Sequence, residues 1–133
     1  MKPVFADTSY YVALLGPRDP WHARAVEFSE KHLGRIVVTD YVLVETASMF
    51  SRGRDRAVYL TLLRDLEIDP LTRVIPASRA LFRHGLDLFA ARSDKNWSLV
   101  DCISFVVMKQ QRLTDDLTTD DHFKQAGFNR LLT

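Results

Sequence analysis

Short runs of β-branched and aromatic residues alternate along this chain with longer stretches whose apolar positions recur every three or four residues. Val4, Phe5 and Ala6 predict a short buried strand that ends on Asp7, and Thr8 or Ser9 then caps a helix through Leu15. The breaker cluster Gly16-Pro17-Arg18-Asp19-Pro20 predicts a loop. A helix over 22–32 follows, with Ala25, Phe28 and either Ala23 or Val26 on its apolar side and Gly34 as its stop. Ile36-Val37-Val38 predicts a second buried strand, and Thr39 caps a helix over 40–51. Beyond the Arg52-Gly53-Arg54 turn, Val58, Leu62 and Leu66 fall at i, i+4 and i+8 of an amphipathic helix.

The second half repeats the alternation. Arg73-Val74-Ile75 predicts a strand, and 78–91 a helix burying Leu81, Phe82, Leu86 and Phe89. Ser98 opens a helix to about residue 110, residues 116–119 form a short strand, 122–126 a helical turn and 128–132 an edge strand. Alternating short strands and helices predict an α/β fold: three layers, α/β/α, around a central, mainly parallel sheet. No internal repeat or linker interrupts the 133 residues, so one domain over 1–133 is expected.

Composition narrows the class without choosing the chemistry. With 47% hydrophobic and 26% charged residues, the chain can bury one core without staples. Cys102 is the only cysteine, which excludes an intrachain disulfide and argues against a thiolate zinc site. No leader-like segment and no apolar run of membrane-spanning length occurs, so a cytoplasmic protein is expected. Eighteen Lys and Arg against 17 Asp and Glu give a net charge of +1, so nucleic-acid contact has to come from local patches. Arg52, Arg54 and Arg56 form the clearest one, with Arg92 and Lys95 as further candidates for nucleic-acid phosphates.

The acidic residues carry the chemical signal. Asp7 and Asp120 each follow a predicted strand, and in parallel α/β folds such strand ends share one functional edge. Glu45 and Asp101 sit in otherwise apolar helical stretches, where a carboxylate must be paired or bound to metal. Several carboxylates brought together repel, and a hard divalent ion such as Mg²⁺ or Mn²⁺ relieves that repulsion while activating water at a phosphodiester. Plainer roles stand beside this one. Asp101 can close a capping box with Ser98, Glu45 can pair with Arg52, Asp7 can belong to the strand–helix turn, and Asp120 can cap the last helix.

The segments Phe5-Ala6-Asp7-Thr8-Ser9, Val44-Glu45, Trp97-Ser98-Leu99-Val100-Asp101-Cys102-Ile103-Ser104-Phe105 and Leu117-Thr118-Thr119-Asp120-Asp121-His122-Phe123 resemble the PIN-domain nucleases. In particular they resemble VapC-type toxins of toxin–antitoxin modules. The likeness runs in order over nearly the whole chain. It implies an acidic quartet at Asp7, Glu45, Asp101 and Asp120, with Asp7 and Asp101 as central ligands of one or two Mg²⁺ or Mn²⁺ ions. Glu45 and Asp120 would bind directly or through water. Ser9, or Thr8, would support Asp7; Ser104 would hold a water or backbone group, or bond back to a helical carbonyl; Thr118 would orient Asp120.

The same resemblance implies an endoribonuclease leaving a 3′-hydroxyl and a 5′-phosphate, tRNA or rRNA as target, a homodimer, and a small cognate antitoxin. A housekeeping PIN nuclease and a non-catalytic RNA-binding relative are the alternatives; an aspartyl phosphatase would need a different start after Asp7. Trp97 is expected to anchor a helix entry rather than stack on a base, and Cys102 to be a core residue. His122 is expected to be packed or hydrogen-bonded rather than a catalytic base, and His22, His32 and His84 lack ligand spacing.

Overall fold

A computed structural model describes residues 1–133. Five strands, β1 (Val4–Ala6), β2 (Ile36–Thr39), β3 (Thr72–Ile75), β4 (Asp115–Leu117) and β5 (Asn129–Arg130), form one sheet in the order β3-β2-β1-β4-β5. Every pairing is parallel, so the sheet is wholly rather than mainly parallel, edge strand β5 included. Seven helices flank it: α1 (Thr8–Leu15), α2 (His22–Lys31), α3 (Asp40–Met49), α4 (Arg54–Ile68), α5 (Arg79–Ala91), α6 (Leu99–Gln110) and α7 (Asp121–Gln125). Crossovers between parallel strands are right-handed as a rule, which for this strand order puts the helices of β1→β2→β3 on one face and those of β3→β4→β5 on the other, giving three layers. No helix is long and apolar enough to cross a membrane.

The strand order reverses between β1 and β4. At such a switch point the flanking chains leave in opposite directions and open a crevice at the carboxyl ends of the strands. Here the crevice lies beyond Ala6 and Leu117, which are register partners. Asp7 continues from β1 and donates its backbone N–H to the Leu117 carbonyl at 3.2 Å.

An aromatic cluster fixes what surrounds that crevice. Phe105 on α6 meets Phe123 on α7 edge-on at 4.8 Å, Trp97 meets Phe105 at 5.0 Å, and Phe123 lies 6.5 Å from Phe5 on β1. Such pairs contribute roughly 0.5–1.5 kcal/mol each beyond area burial. They tie the start of α6 and the start of α7, where Asp101 and Asp120 stand, to the central strand. Trp97 is buried and donates Nε1–H to Gln125 Oε1 at 3.1 Å, an anchor for the entry to α6. Cys102 is fully buried.

Two expected helix faces are rotated. Val58 is 40% exposed, and Tyr59 with Leu62 takes the inward stripe of α4. The Tyr59 ring adds buried area there, and its hydroxyl finds an acceptor in the Leu43 carbonyl at 2.7 Å. On α5, Phe89 is 46% exposed, while Leu81 and Gly85 face inward one turn apart. Gly85 is there because α6 is too close for a side chain: a Cβ would lie 2.3 Å from Ile103 Cγ1 and 3.2 Å from its Cα. Helix α3 ends at Met49, two residues before the expected stop, and α4 begins at Arg54.

Candidate active site

Asp7, Glu45, Asp101 and Asp120, which come from four different places in the chain, line one cleft of about 450 Å³ at the β1–β4 switch point. Asp19, Asn96 and His122 join them, and no lysine or arginine does. The site is therefore an acidic basin on a protein of nearly neutral charge.

Asp7 is held from one side by hydroxyls. Thr118 Oγ1 donates to Asp7 Oδ2 at 3.0 Å and Ser9 Oγ does so at 3.2 Å. Both hydroxyls accept backbone N–H groups, Thr118 from Asp120 and Ser9 from Thr119, each at 3.0 Å. With those lone pairs engaged, the hydroxyl protons are left to point at Asp7. Thr118 thus reaches both the Asp7 carboxylate and the Asp120 backbone. Burial, then the charge of Asp101, pushes the Asp7 carboxyl up to about 7, against the lowering effect of Thr118.

Asp101 takes the capping role considered for it and also lines the cleft. Its Oδ2 accepts Ser98 N–H at 3.0 Å, while Ser98 Oγ accepts Asp101 N–H at 3.0 Å, completing a capping box for α6. The same Oδ2 lies 2.9 Å from His122 Nδ1, which leaves Oδ1 without a protein donor. Asp120 likewise caps α7 by accepting His122 N–H at 2.9 Å, and its Oδ2 stands 3.3 Å from His122 Nδ1. Capping and site building are one arrangement here, because each cap fixes a carboxylate at the crevice.

Glu45 is half-buried on α3 and accepts Thr8 Oγ1–H at 2.5 Å; it makes no pair with Arg52. Val44 beside it is 70% exposed, so the apolar run around Glu45 is less enclosed than the sequence suggests. Ser104, one turn below Asp101, is fully buried and its hydroxyl bonds to no helical carbonyl or other protein group. Asp121 points away and pairs with Arg130 at 2.6 Å.

The basic candidates lie outside the basin. Arg52, Arg54 and Arg56 are exposed at the α3–α4 turn, and Arg56 is bonded to the Ser51 carbonyl at 3.0 and 3.2 Å. Arg92 is engaged by Asp94 and stacks over the Trp97 ring at 5.0 Å, which removes it from the free cations. Lys95 is half-buried next to Asn96.

Three residues outside the expected quartet belong to this neighbourhood: His122, expected to be packed or hydrogen-bonded, and Asp19 and Asp116, which the sequence does not single out. His122 lies between Asp101 and Asp120, and ligand atoms of the three are all within 4.8 Å of one another. Asp19 reaches the cleft from the breaker loop. Asp116 on β4 is fully buried, and neither of its carboxylate oxygens has a partner. Burial and then the charges of Asp7, Asp101 and Asp120 push its carboxyl well above the usual range.

A divalent cation fits this donor set. The free Asp101 Oδ1, the concentration of carboxylates and the orphaned buried oxygens of Asp116 all describe a site short of positive charge. Oxygen-rich sites of this type suit Mg²⁺ and Mn²⁺.

A parallel α/β/α sheet with an acidic basin at its switch point defines a class of metal-dependent phosphoryl-transfer folds. The PIN domain profile matches residues 4–129, and the chain belongs to the PIN domain family. It is 26% identical over 127 residues to the 23S rRNA-specific endonuclease VapC20 of two Mycobacterium tuberculosis strains, covering 94% of this chain and 95% of that protein. The crystal structure of M. tuberculosis VapC20, described as a sarcin–ricin loop cleaving toxin, superposes with a TM-score of 0.88 at 22% identity, over 98% of this chain and 99% of that one. FitAcB from Neisseria gonorrhoeae superposes with a TM-score of 0.66 at 17% identity, over 98% and 96% of the two chains.

Proposed function

We propose that this protein is a divalent-metal-dependent endoribonuclease and the toxin of a toxin–antitoxin pair, with ribosomal RNA as its substrate. The observation that carries this reading is the convergence of Asp7, Glu45, Asp101 and Asp120 in one cleft at the strand-order reversal. Likeness to an rRNA-specific endonuclease over nearly the full length of both proteins supports the choice of substrate. An acidic basin without its own cations needs a small cation before it can accept a phosphodiester.

Asp7, Asp101 and Asp120 would hold the ion, with Glu45 at the mouth as a direct or water-bridged ligand. Such an ion supplies a lowered water pKa and compensation for charge developing on the phosphate. The protein's own groups do the rest. Ser9 and Thr118 keep Asp7 oriented, and the Ser98 cap keeps Asp101 oriented. Glu45, half-buried and held on one oxygen by Thr8, takes the proton of the attacking water. A P–O bond forms from that water and the P–O3′ bond breaks, leaving a 5′-phosphate and, after protonation, a 3′-hydroxyl. The exposed arginines at the α3–α4 turn contact phosphates away from the cut. A homodimer and a small protein antitoxin complete the reading.

Incubating the purified protein with intact ribosomes and Mn²⁺, then mapping new RNA ends, tests it. A single dominant rRNA cut with a ligatable 5′-phosphate is expected. Scattered cuts in every RNA present, or none in rRNA, would contradict the substrate assignment.

A further inference from the structure

His122 is the one titratable side chain in the basin that is not a carboxylate. Its position is fixed from both sides in sequence. Asp120 accepts its backbone N–H, and Phe123 next to it is buried in the aromatic cluster. The ring therefore has little choice of where to lie, and Nδ1 falls 2.9 Å from Asp101 Oδ2 and 3.3 Å from Asp120 Oδ2.

Those separations are informative. Adjacent ligands on an octahedral ion with bonds of roughly 2.1–2.2 Å stand roughly 3 Å apart. Nδ1 stands from each of the two carboxylate oxygens as a neighbour in one coordination sphere would, and ligand atoms of the three residues all lie within 4.8 Å of one another. A hydrogen bond from Nδ1–H to Asp101 accounts for the shorter distance, and the second carboxylate at 3.3 Å leaves this nitrogen between two acidic groups that themselves need a cation. Asp116, buried and unpartnered, adds a further carboxyl next to the quartet.

We propose that His122 is a nitrogen ligand of the metal centre, and that it makes the site select Mn²⁺ over Mg²⁺. The inference rests on the metal-dependent reading above. Imidazole suits borderline first-row ions, whereas Mg²⁺ takes oxygen ligands and dehydrates reluctantly. An all-carboxylate site discriminates weakly between the two ions; one imidazole added to it favours Mn²⁺. His122 reaches the sphere without disturbing the quartet because the cap at Asp120 holds backbone and ring together.

The test is Mn²⁺ electron spin-echo spectroscopy on the full chain, with calorimetric Mn²⁺ and Mg²⁺ titrations of the wild type, His122→Asn and Asp7→Asn. The wild type should show a directly coordinated ¹⁴N, replaced by a ¹⁵N signal when the protein carries ¹⁵N-histidine. His122→Asn should lose that coupling and bind Mn²⁺ roughly tenfold or more weakly while Mg²⁺ affinity changes less than about threefold. Mn²⁺ bound tightly with no nitrogen coupling would overturn the proposal and leave the nuclease reading standing; His122 would then be only a hydrogen-bond donor to Asp101. If the wild type binds neither ion, or Asp7→Asn binds both as the wild type does, the metal reading falls and this inference with it. The labelling experiment uses the unaltered protein, so it decides the matter even if the Asn variant folds poorly.

Discussion

Thr118 Oγ1 donates to Asp7 Oδ2 at 3.0 Å, joining residues 111 positions apart across the β1–β4 pair. Because the same oxygen accepts Asp120 N–H, one hydroxyl sets both the orientation of Asp7 and the start of α7. Thr118→Val keeps the shape and removes the hydroxyl. A hydrogen bond to a charged group contributes roughly 1.5–3 kcal/mol, so calorimetry should show Mn²⁺ binding weakened about tenfold or more. Thr118→Ser should recover most of it. Equal binding by the Val variant would mean that Asp7 is positioned without Thr118.

The close approach of α5 to α6 at Gly85 makes a second prediction. Gly85→Ala places a methyl against Ile103 side chain and backbone, two residues from Asp101. Overpacking of this kind costs roughly 1–3 kcal/mol, measurable as a lower urea midpoint at unchanged slope. RNA cleavage should fall as well, because α6 carries Asp101. A stability gain would show that the helix pair has room to spare.

Much of this was readable from the chain because the deciding signals are local. The Ser98-to-Asp101 cap, the Thr39 cap and the β-branched run at Ile36 each act within four residues, and the elements they mark occur where expected. Strand ends put Asp7 and Asp120 at one edge of the sheet, and the ordered motifs of a family joined Glu45 and Asp101 to them. What escaped depends on register and rotation. Asp116 enters the neighbourhood through the strand pairing Phe5↔Asp116, which has no sequence signature, and the expected Asp120 cap does not by itself say that the His122 ring turns to Asp101. Val58 and Tyr59 differ in role only by a rotation of α4, which the Leu43 carbonyl settles by accepting the Tyr59 hydroxyl.

The burial of Asp7 predicts how stability depends on pH. Its carboxyl titrates near 7 in the folded chain against 3.8 as a free group, so the folded state holds the proton more tightly. Between about pH 4 and pH 7 the unfolded chain binds fewer protons, and stability falls as pH rises through that window. Asp116 acts in the same direction. Metal-free protein should therefore melt at a lower temperature at pH 8 than at pH 5. Mn²⁺ at pH 8 should restore the difference by binding the folded state. A melting temperature that rises from pH 5 to pH 8 without metal would contradict the burial argument.

Asp116 is the least compensated group in the core. Replacing it with Val, which suits a buried strand, removes two orphaned oxygens whose desolvation costs about 1–3 kcal/mol. Metal-free Asp116→Val should be more stable than the wild type in urea titrations. Destabilisation of the metal-free protein would mean that Asp116 has a structural partner after all.

The central claim is that the carboxylates at the β1–β4 switch point cut RNA with a divalent ion. The most direct measurement is the cleavage rate of an end-labelled RNA by wild type, Asp7→Asn and Asp101→Asn, each in Mn²⁺ and in EDTA. The account predicts cleavage by the wild type in Mn²⁺ alone, with each variant slower by roughly a hundredfold or more. Undiminished cleavage in EDTA, or by both variants, would contradict it.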